Sequence, residues 1–226
     1  MRVDLVAYTS NPVDTIYMAS KICENRNAMD VMSEPLIASQ EQKEEFIKTL
    51  IQTDNDFPLG HVTFTFLVEN ISFMGIHQLI QYPMVLHSQY IHSDKYADLE
   101  FRIPYPLCDQ MNDNEEVKEL VFNFLGQGVN FYLALIKLGI PPEYAKAFLP
   151  QATISAVMFT MNGKEVRDFL KYQLGSDNQP ELRMLAWNML NKLNKVCPVL
   201  VADLKEKFSP NDYDSERWMS VVGVRF

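Results

Sequence analysis

Between Gly139 and Arg183 the chain reads GIPPEYAKAFLPQATISAVMFTMNGKEVRDFLKYQLGSDNQPELR, and its punctuation leaves few ways to fold. Gly139 suits the left-handed end of a helix. Pro141 and Pro142 suit the first turn of the next, where the missing N–H has no partner to lose. Pro150 stops that short helix. QATISAV predicts a short extended segment, and NGKEVRDFLKYQL a helix with a polar first turn. Pro180 then opens an amphipathic helix to about Val196, before Pro198 breaks it. Strand and helices alternating this closely predict an α/β (α+β) chain with a helical C-terminal half.

The rest of the chain supplies the sheet. Val3 to Tyr8 alternates and predicts a strand, closed by Ser10, Asn11 and Pro12, with a helix from Asp14 or Thr15 to about Cys23. Residues 24–35 read as irregular, broken at Pro35. Gln40 to Gln52 predicts a helix and 53–60 a loop. In HVTFTFLVEN, Val62, Phe64, Phe66 and Val68 share one face of a predicted strand, and these aromatics read as core. Ser72 to Tyr82 predicts a helix ended by Pro83, and 84–96 a loop or short helix. Pro104 and Pro106 bracket an extended piece. Asn114 is placed to cap a helix over 115–138, with Glu115 and Glu116 at its positive end.

Composition narrows the function. The 226 residues are 47% hydrophobic and 22% charged, enough for a sizeable core. A net charge of −9 opposes non-specific nucleic-acid binding, which rests on Lys and Arg neutralising phosphates. No unbroken apolar run of spanning length and no leader-like segment stand out, so no membrane and a cytoplasmic setting are expected. Cys23, Cys108 and Cys197 lie far apart and read as reduced packing residues. Four histidines between His61 and His92 have no metal-ligand spacing, so no metal is expected.

Three ordered fragments carry a resemblance. They are Glu143-x-Ala145-Lys146-x-x-Leu149-Pro150, Asn162-x-Lys164, and Gln179-x-Glu181-x-Arg183. Together they resemble the C-terminal half of the flavin-dependent thymidylate synthases, the ThyX family. VDLVAYTSNPVDTIYMASKIC is similar to the family's opening strand, turn and first helix. PLGHVTFTF resembles its Glu-His-x-x-Phe-Thr-Phe segment, with His61 matched and Gly60 in place of the glutamate. The likeness covers about residues 1–200, expected to form one domain, with 201–226 a helix and tail extension. It implies a ThyX-like fold, a central mixed sheet with flanking helices.

The family's signature Arg-His-Arg-x-x-Ser-x-Asn-x-x-Ser-x-Arg-Tyr is only partly kept. Read back from Tyr96, Lys95 falls on the last arginine, Ser93 on the second serine and Ser88 on the first. Pro83, Met84 and Val85 then stand at Arg-His-Arg. Anchored on His77-Gln78, that position goes to Gln81, Tyr82 and Pro83 instead. Either register loses both arginines, and with them a fixed bidentate charge.

What the resemblance implies is a reaction at C5 of dUMP. Methylenetetrahydrofolate gives the carbon, and FAD recharged by NADPH reduces it, in a homotetramer. Gln173 takes the catalytic position at the pyrimidine, where the family has an arginine. Ser93, Lys95, Lys146 and Gln78 are the implied nucleotide contacts. His61, Thr63, Ser88, Asn162, Lys164 and Asp168 are the implied flavin contacts. The polar residues Gln179, Glu181 and Arg183 read more simply as a solvated or helix-supporting face. The missing arginines leave a second reading open: the same fold with altered pyrimidine-nucleotide chemistry, or a non-catalytic nucleotide-binding or structural homo-oligomer.

Overall fold

The computed structural model describes residues 1–22, 27–83, 86–90, 114–175 and 178–208. Its centre is a four-stranded sheet of β1 (Arg2–Tyr8), β2 (Thr63–Ser72), β3 (Leu86–Tyr90) and β4 (Ile154–Asn162), in the order β1-β2-β4-β3. The expected α/β class holds, but the pairings among described strands are antiparallel throughout, not mixed. The cause is topological. β2 and β3 run the same way, and β4 returns between them, so one potential parallel pair becomes two antiparallel ones.

Around the sheet lie α1 (Pro12–Ile22), α2 (Ala28–Ile37), α3 (Gln40–Gln52), α4 (Phe73–Leu79), α5 (Glu115–Lys137), α6 (Pro142–Ala145), α7 (Gly163–Gln173), α8 (Pro180–Val196) and α9 (Ala202–Lys207). Asn114 caps α5 as its sequence predicts, its Oδ1 accepting the N–H groups of Glu116 and Val117. Two expectations are corrected. Pro35 lies inside α2 and does not break it, because the helix ends two residues later and little of its ladder is lost. Residues 86–90 are an edge strand on β4, not loop or helix; the open edge of β4 outweighs their weak local preference. Pro104, Pro106 and the tail lie outside the described residues.

The main core joins Phe64, Phe66 and Val68 of β2, Val157, Phe159 and Met161 of β4, and the apolar faces of α7 and α8. Val201 and Leu204 close the same core, so the chain just past residue 200 is part of it. Cys197 is buried there, and burial pushes its thiol up to about 11, which suits packing. A smaller cluster sets Phe73 against Leu125, Val129 and Tyr132 of α5.

Among the described residues, helix α5 alone is long and apolar enough, by length and composition, to cross a membrane, although Asn123, Gln127 and Asn130 interrupt any unbroken run. Only one stripe of it is packed, and Leu120, Phe124 and Phe131 stand exposed.

One buried cation ties the helices together. Arg167 of α7 is fully buried; Nη1 donates to the Leu200 carbonyl and to Asp203 Oδ1 (2.8 Å), and Nη2 to Asp203 Oδ2 (2.8 Å). Burial alone would raise the Asp203 pKa, but the Arg167 hydrogen bonds and charge outweigh it and hold the carboxyl below its usual value. Removing Asp203 strands a buried guanidinium, so Asp203→Ala should cost about 3 kcal/mol in urea unfolding at pH 7. A depressed folded pKa contributes stability above the unfolded value of about 3.9, lost as pH falls through the folded one. The gap between wild type and Asp203→Ala should therefore narrow below about pH 4. A gap that stays constant with pH would refute this role.

Candidate functional site

Helix α7 leaves the sheet at a joint that only glycine fills. The Gly163 N–H donates to the Val62 carbonyl (2.8 Å), and a Cβ there would stand 2.6 Å from the Leu59 oxygen. From this joint α7 runs back over the sheet, and at ~1.5 Å per residue its two ends lie about 15 Å apart. Each end carries a group of polar side chains.

At its start, Thr63 and Asn162 face one another across β2 and β4. Asn162 caps α7, its Oδ1 accepting the Glu165 N–H (2.9 Å). The Thr63 N–H donates to the Thr9 hydroxyl (2.9 Å), with the two hydroxyls 3.4 Å apart. Lys164 donates to Asp168 (3.1 Å) and Asp56 (3.3 Å). The Asp168 hydrogen bond, ahead of that from Asp56, raises its pKa, so it remains an ammonium. His61 ends the 3-10 turn packed on α7 and is exposed.

At the other end is a polar cavity of about 460 Å³, between α4, α7 and the start of α8. Gln78, Gln81, Tyr82, Tyr172, Gln173, Asn178, Gln179 and Leu182 line it. Gln173 is 4% exposed; its Nε2 donates to the Tyr82 hydroxyl (2.6 Å), and its Oε1 is buried without a partner. Gln78 Oε1 and Gln179 Nε2 are likewise buried and unpartnered. Gln179 cannot turn to relieve this, because its Oε1 caps α8 by accepting the Leu182 N–H (2.8 Å). Three buried amide atoms left unsatisfied around one cavity mark a place for a ligand with matching donors and acceptors. Tyr82 packs edge-on against Phe169, with ring centroids 4.9 Å apart.

A buried carboxylate sets the width of this cavity. The Ser72 N–H donates to Glu181 Oε1 (2.9 Å), and the Ser72 hydroxyl donates to Oε2. Ser72 Oγ in turn accepts the Gly75 N–H (3.0 Å) and caps α4. Glu181 so pins α8, which carries Gln179, to α4, which carries Gln78. A Cβ at Gly75 would meet Glu181 Oε2 at 2.7 Å, so the approach admits only glycine.

The sequence-predicted residues thus fall into separate places. Gln78 and Gln173 share the cavity. His61, Thr63, Asn162, Lys164 and Asp168 gather at the start of α7. Ser88 stands exposed on β3, across from Met158. Lys146, half-buried, follows α6. Ser93 and Lys95 lie outside the described residues. Sequence reasoning missed Tyr82 and Gln179 as cavity residues and treated Glu181 as surface support. A signal was present for Tyr82, since Gln78, Gln81 and Tyr82 recur at helical spacing.

Glu181→Ala leaves two buried donors of Ser72 without an acceptor. It should lower stability by about 2–3 kcal/mol in denaturant unfolding. A loss below about 0.5 kcal/mol would show that this contact does not hold α4 to α8.

Comparison with known proteins agrees with this architecture. The family profile of the thymidylate synthase complementing protein matches residues 4–199. The flavin-dependent thymidylate synthase of Sulfurisphaera tokodaii is 28% identical over 200 residues, covering 88% of this chain and 76% of its own. That of Geobacter sulfurreducens is 27% identical over 206 residues, covering 90% and 86%. Among solved structures, a UMP/dUMP methylase, PolB, from Streptomyces cacaoi bound with 5-Br dUMP superposes with a TM-score of 0.71. It is 18% identical, with 92% of this chain and 95% of that one covered, and shows a shared fold.

Proposed function

The chain belongs to the thymidylate synthase complementing protein family, that of the flavin-dependent thymidylate synthases, and from this membership we propose that it methylates C5 of a uracil nucleotide. The observation that carries the reading is the glutamine-lined cavity, whose buried amide atoms lack partners that a pyrimidine edge would supply. In this reading dUMP sits with its base against Gln173 and Gln78, while Ser93, Lys95 and Lys146 hold its phosphate. Methylenetetrahydrofolate gives the carbon, and NADPH the reducing equivalents, in the cytoplasm.

The residues at the start of α7 fit a flavin in kind. His61, Thr63 and Asn162 offer donors and acceptors for its ring, with Ser88 standing apart on β3, and Lys164 offers a cation for the diphosphate of FAD. Asp168 and Asp56 hold Lys164 ready and must yield when phosphate takes it. A flavin bound there would supply the hydride that completes the methyl group. The chain's own part is to orient the base and bear charge that develops on it. Gln173 does so with a neutral hydrogen bond where the family has an arginine, at a cost of roughly 10²–10³ in rate.

That replacement also favours a second reading, altered chemistry on a pyrimidine nucleotide or binding without turnover. Among the described residues lining the cavity, none is charged. Purified protein mixed with FAD and desalted should retain the flavin's visible absorption, and Lys164→Ala should weaken retention by at least about tenfold. Protein that retains no flavin at any concentration would refute the flavin-dependent reaction.

The assembly proposed is a homotetramer in which another copy covers the exposed side of α5. Leu120, Phe124, Phe131 and Phe148 crowd there, beside an apolar groove of about 550 Å³. Light scattering should report a tetramer, and Leu120→Glu with Phe124→Glu a smaller species that keeps its helical circular dichroism. A monomeric wild type would refute the assembly.

A further inference from the structure

We propose that Gln173 and Tyr82 form a reversible reader of the base edge, so that the cavity accepts cytosine nucleotides as well as uracil nucleotides. The inference rests on the reading above that this cavity holds the base. Uracil presents an N3–H donor beside the O4 acceptor. Cytosine reverses both, presenting an N3 acceptor beside an N4 amino donor, while both bases share O2. A guanidinium has only donors and cannot follow that reversal.

An amide can. In the structure the Gln173 Nε2 donates to the Tyr82 oxygen, and Oε1 is the buried atom left for an incoming donor. Rotating the amide exchanges its ends. The Tyr82 hydroxyl then turns its proton to donate to Oε1, and Nε2 becomes the free atom, ready for an incoming acceptor. Both states keep the Gln173–Tyr82 bond at the same heavy-atom positions, so neither leaves a new buried group unpaired. Burial raises the Tyr82 pKa, more than the Gln173 hydrogen bond lowers it, so the hydroxyl keeps the proton the exchange needs. Gln179 is the fixed element. Its Oε1 is committed to the Leu182 N–H, so its Nε2 is always a donor, suited to the O2 common to both bases. Gln78 Oε1 adds an acceptor on the opposite helix.

The test is calorimetric titration of the full chain, saturated with FAD, against dUMP and dCMP at equal ionic strength. The expected dissociation constants lie within about tenfold of each other, where a site built for one edge rejects the other by far more. Read at position 4, Gln173→Arg keeps a donor for uracil O4 and sets donor against donor at the cytosine N4 amino group, so dUMP binding should persist and dCMP weaken by at least about thirtyfold. A wild-type preference for dUMP beyond about tenfold overturns the inference while leaving the base cavity in place. So does an unchanged ratio in Gln173→Arg. Binding of neither nucleotide by wild type overturns it together with the reading on which it rests. The wild-type ratio decides by itself should Gln173→Arg fail to fold.

Discussion

Everything at the site depends on the antiparallel pairing of β2 with β4. Nine residue pairs bring Thr63 opposite Asn162 at one end and Ser72 opposite Ile154 at the other. Antiparallel strands finish at opposite ends, so the helices that follow them start at opposite ends. β2 runs into α4 and β4 runs into α7. Because α7 then travels back across the sheet, its last turn reaches α4, and Gln173 meets Tyr82 and Gln78. A bulge at Asn70, in the left-handed region at φ 59°, bends β2 just before this junction. One strand pair therefore fixes both the position of the cavity and the helix that links it to the Lys164 corner.

The interior polar contacts divide into those that hold and those that wait. Asp203 accepts two hydrogen bonds from Arg167 and Glu181 two from Ser72, and these contacts hold helices in place, although Arg167 Nε is itself left without a partner. The glutamines around the cavity are the opposite case, each with one end of the amide engaged or packed and the other unsatisfied. Unmet donors and acceptors of this kind oppose folding unless something repays them elsewhere. Here the repayment is structural. Glu181 binds α8 to α4 strongly enough that the cavity does not collapse onto its own amides.

Much of this fold could be read from residue order. The prolines and Gly139 delimit the C-terminal helices, Asn114 marks its cap, and the alternation of Val62, Phe64, Phe66 and Val68 marks the central strand. These signals are local, and local physics produces them. What stayed hidden was decided at a distance. β3 is a strand because β4 offers it an edge. Glu181 is buried because Ser72, over a hundred residues away, needs its oxygens. Gln179 read as part of a solvated or helix-supporting face; its oxygen caps α8, while its nitrogen faces a cavity that only the tertiary structure builds. The resemblance supplied the positions of Gln78 and Gln173, and packing supplied their company.

The length of α7 bears on how the two polar groups can cooperate. Reacting atoms must approach to roughly 3–3.5 Å, whereas the ends of this helix stand about 15 Å apart. Within one copy, a ligand laid along α7 spans that distance but brings its far end, not its middle, to the glutamine-lined cavity. With two copies, the corner of one can be set beside the cavity of the other, and the distance along α7 ceases to matter. The uncovered apolar side of α5 favours the second arrangement, since an exposed face of aromatic and aliphatic side chains calls for a partner surface. A neutral cavity fits that arrangement as well. In the proposed reading a base met by amides meets no charge in the cavity, so cations for a phosphate and a flavin can come from elsewhere in the proposed assembly without competing at the base.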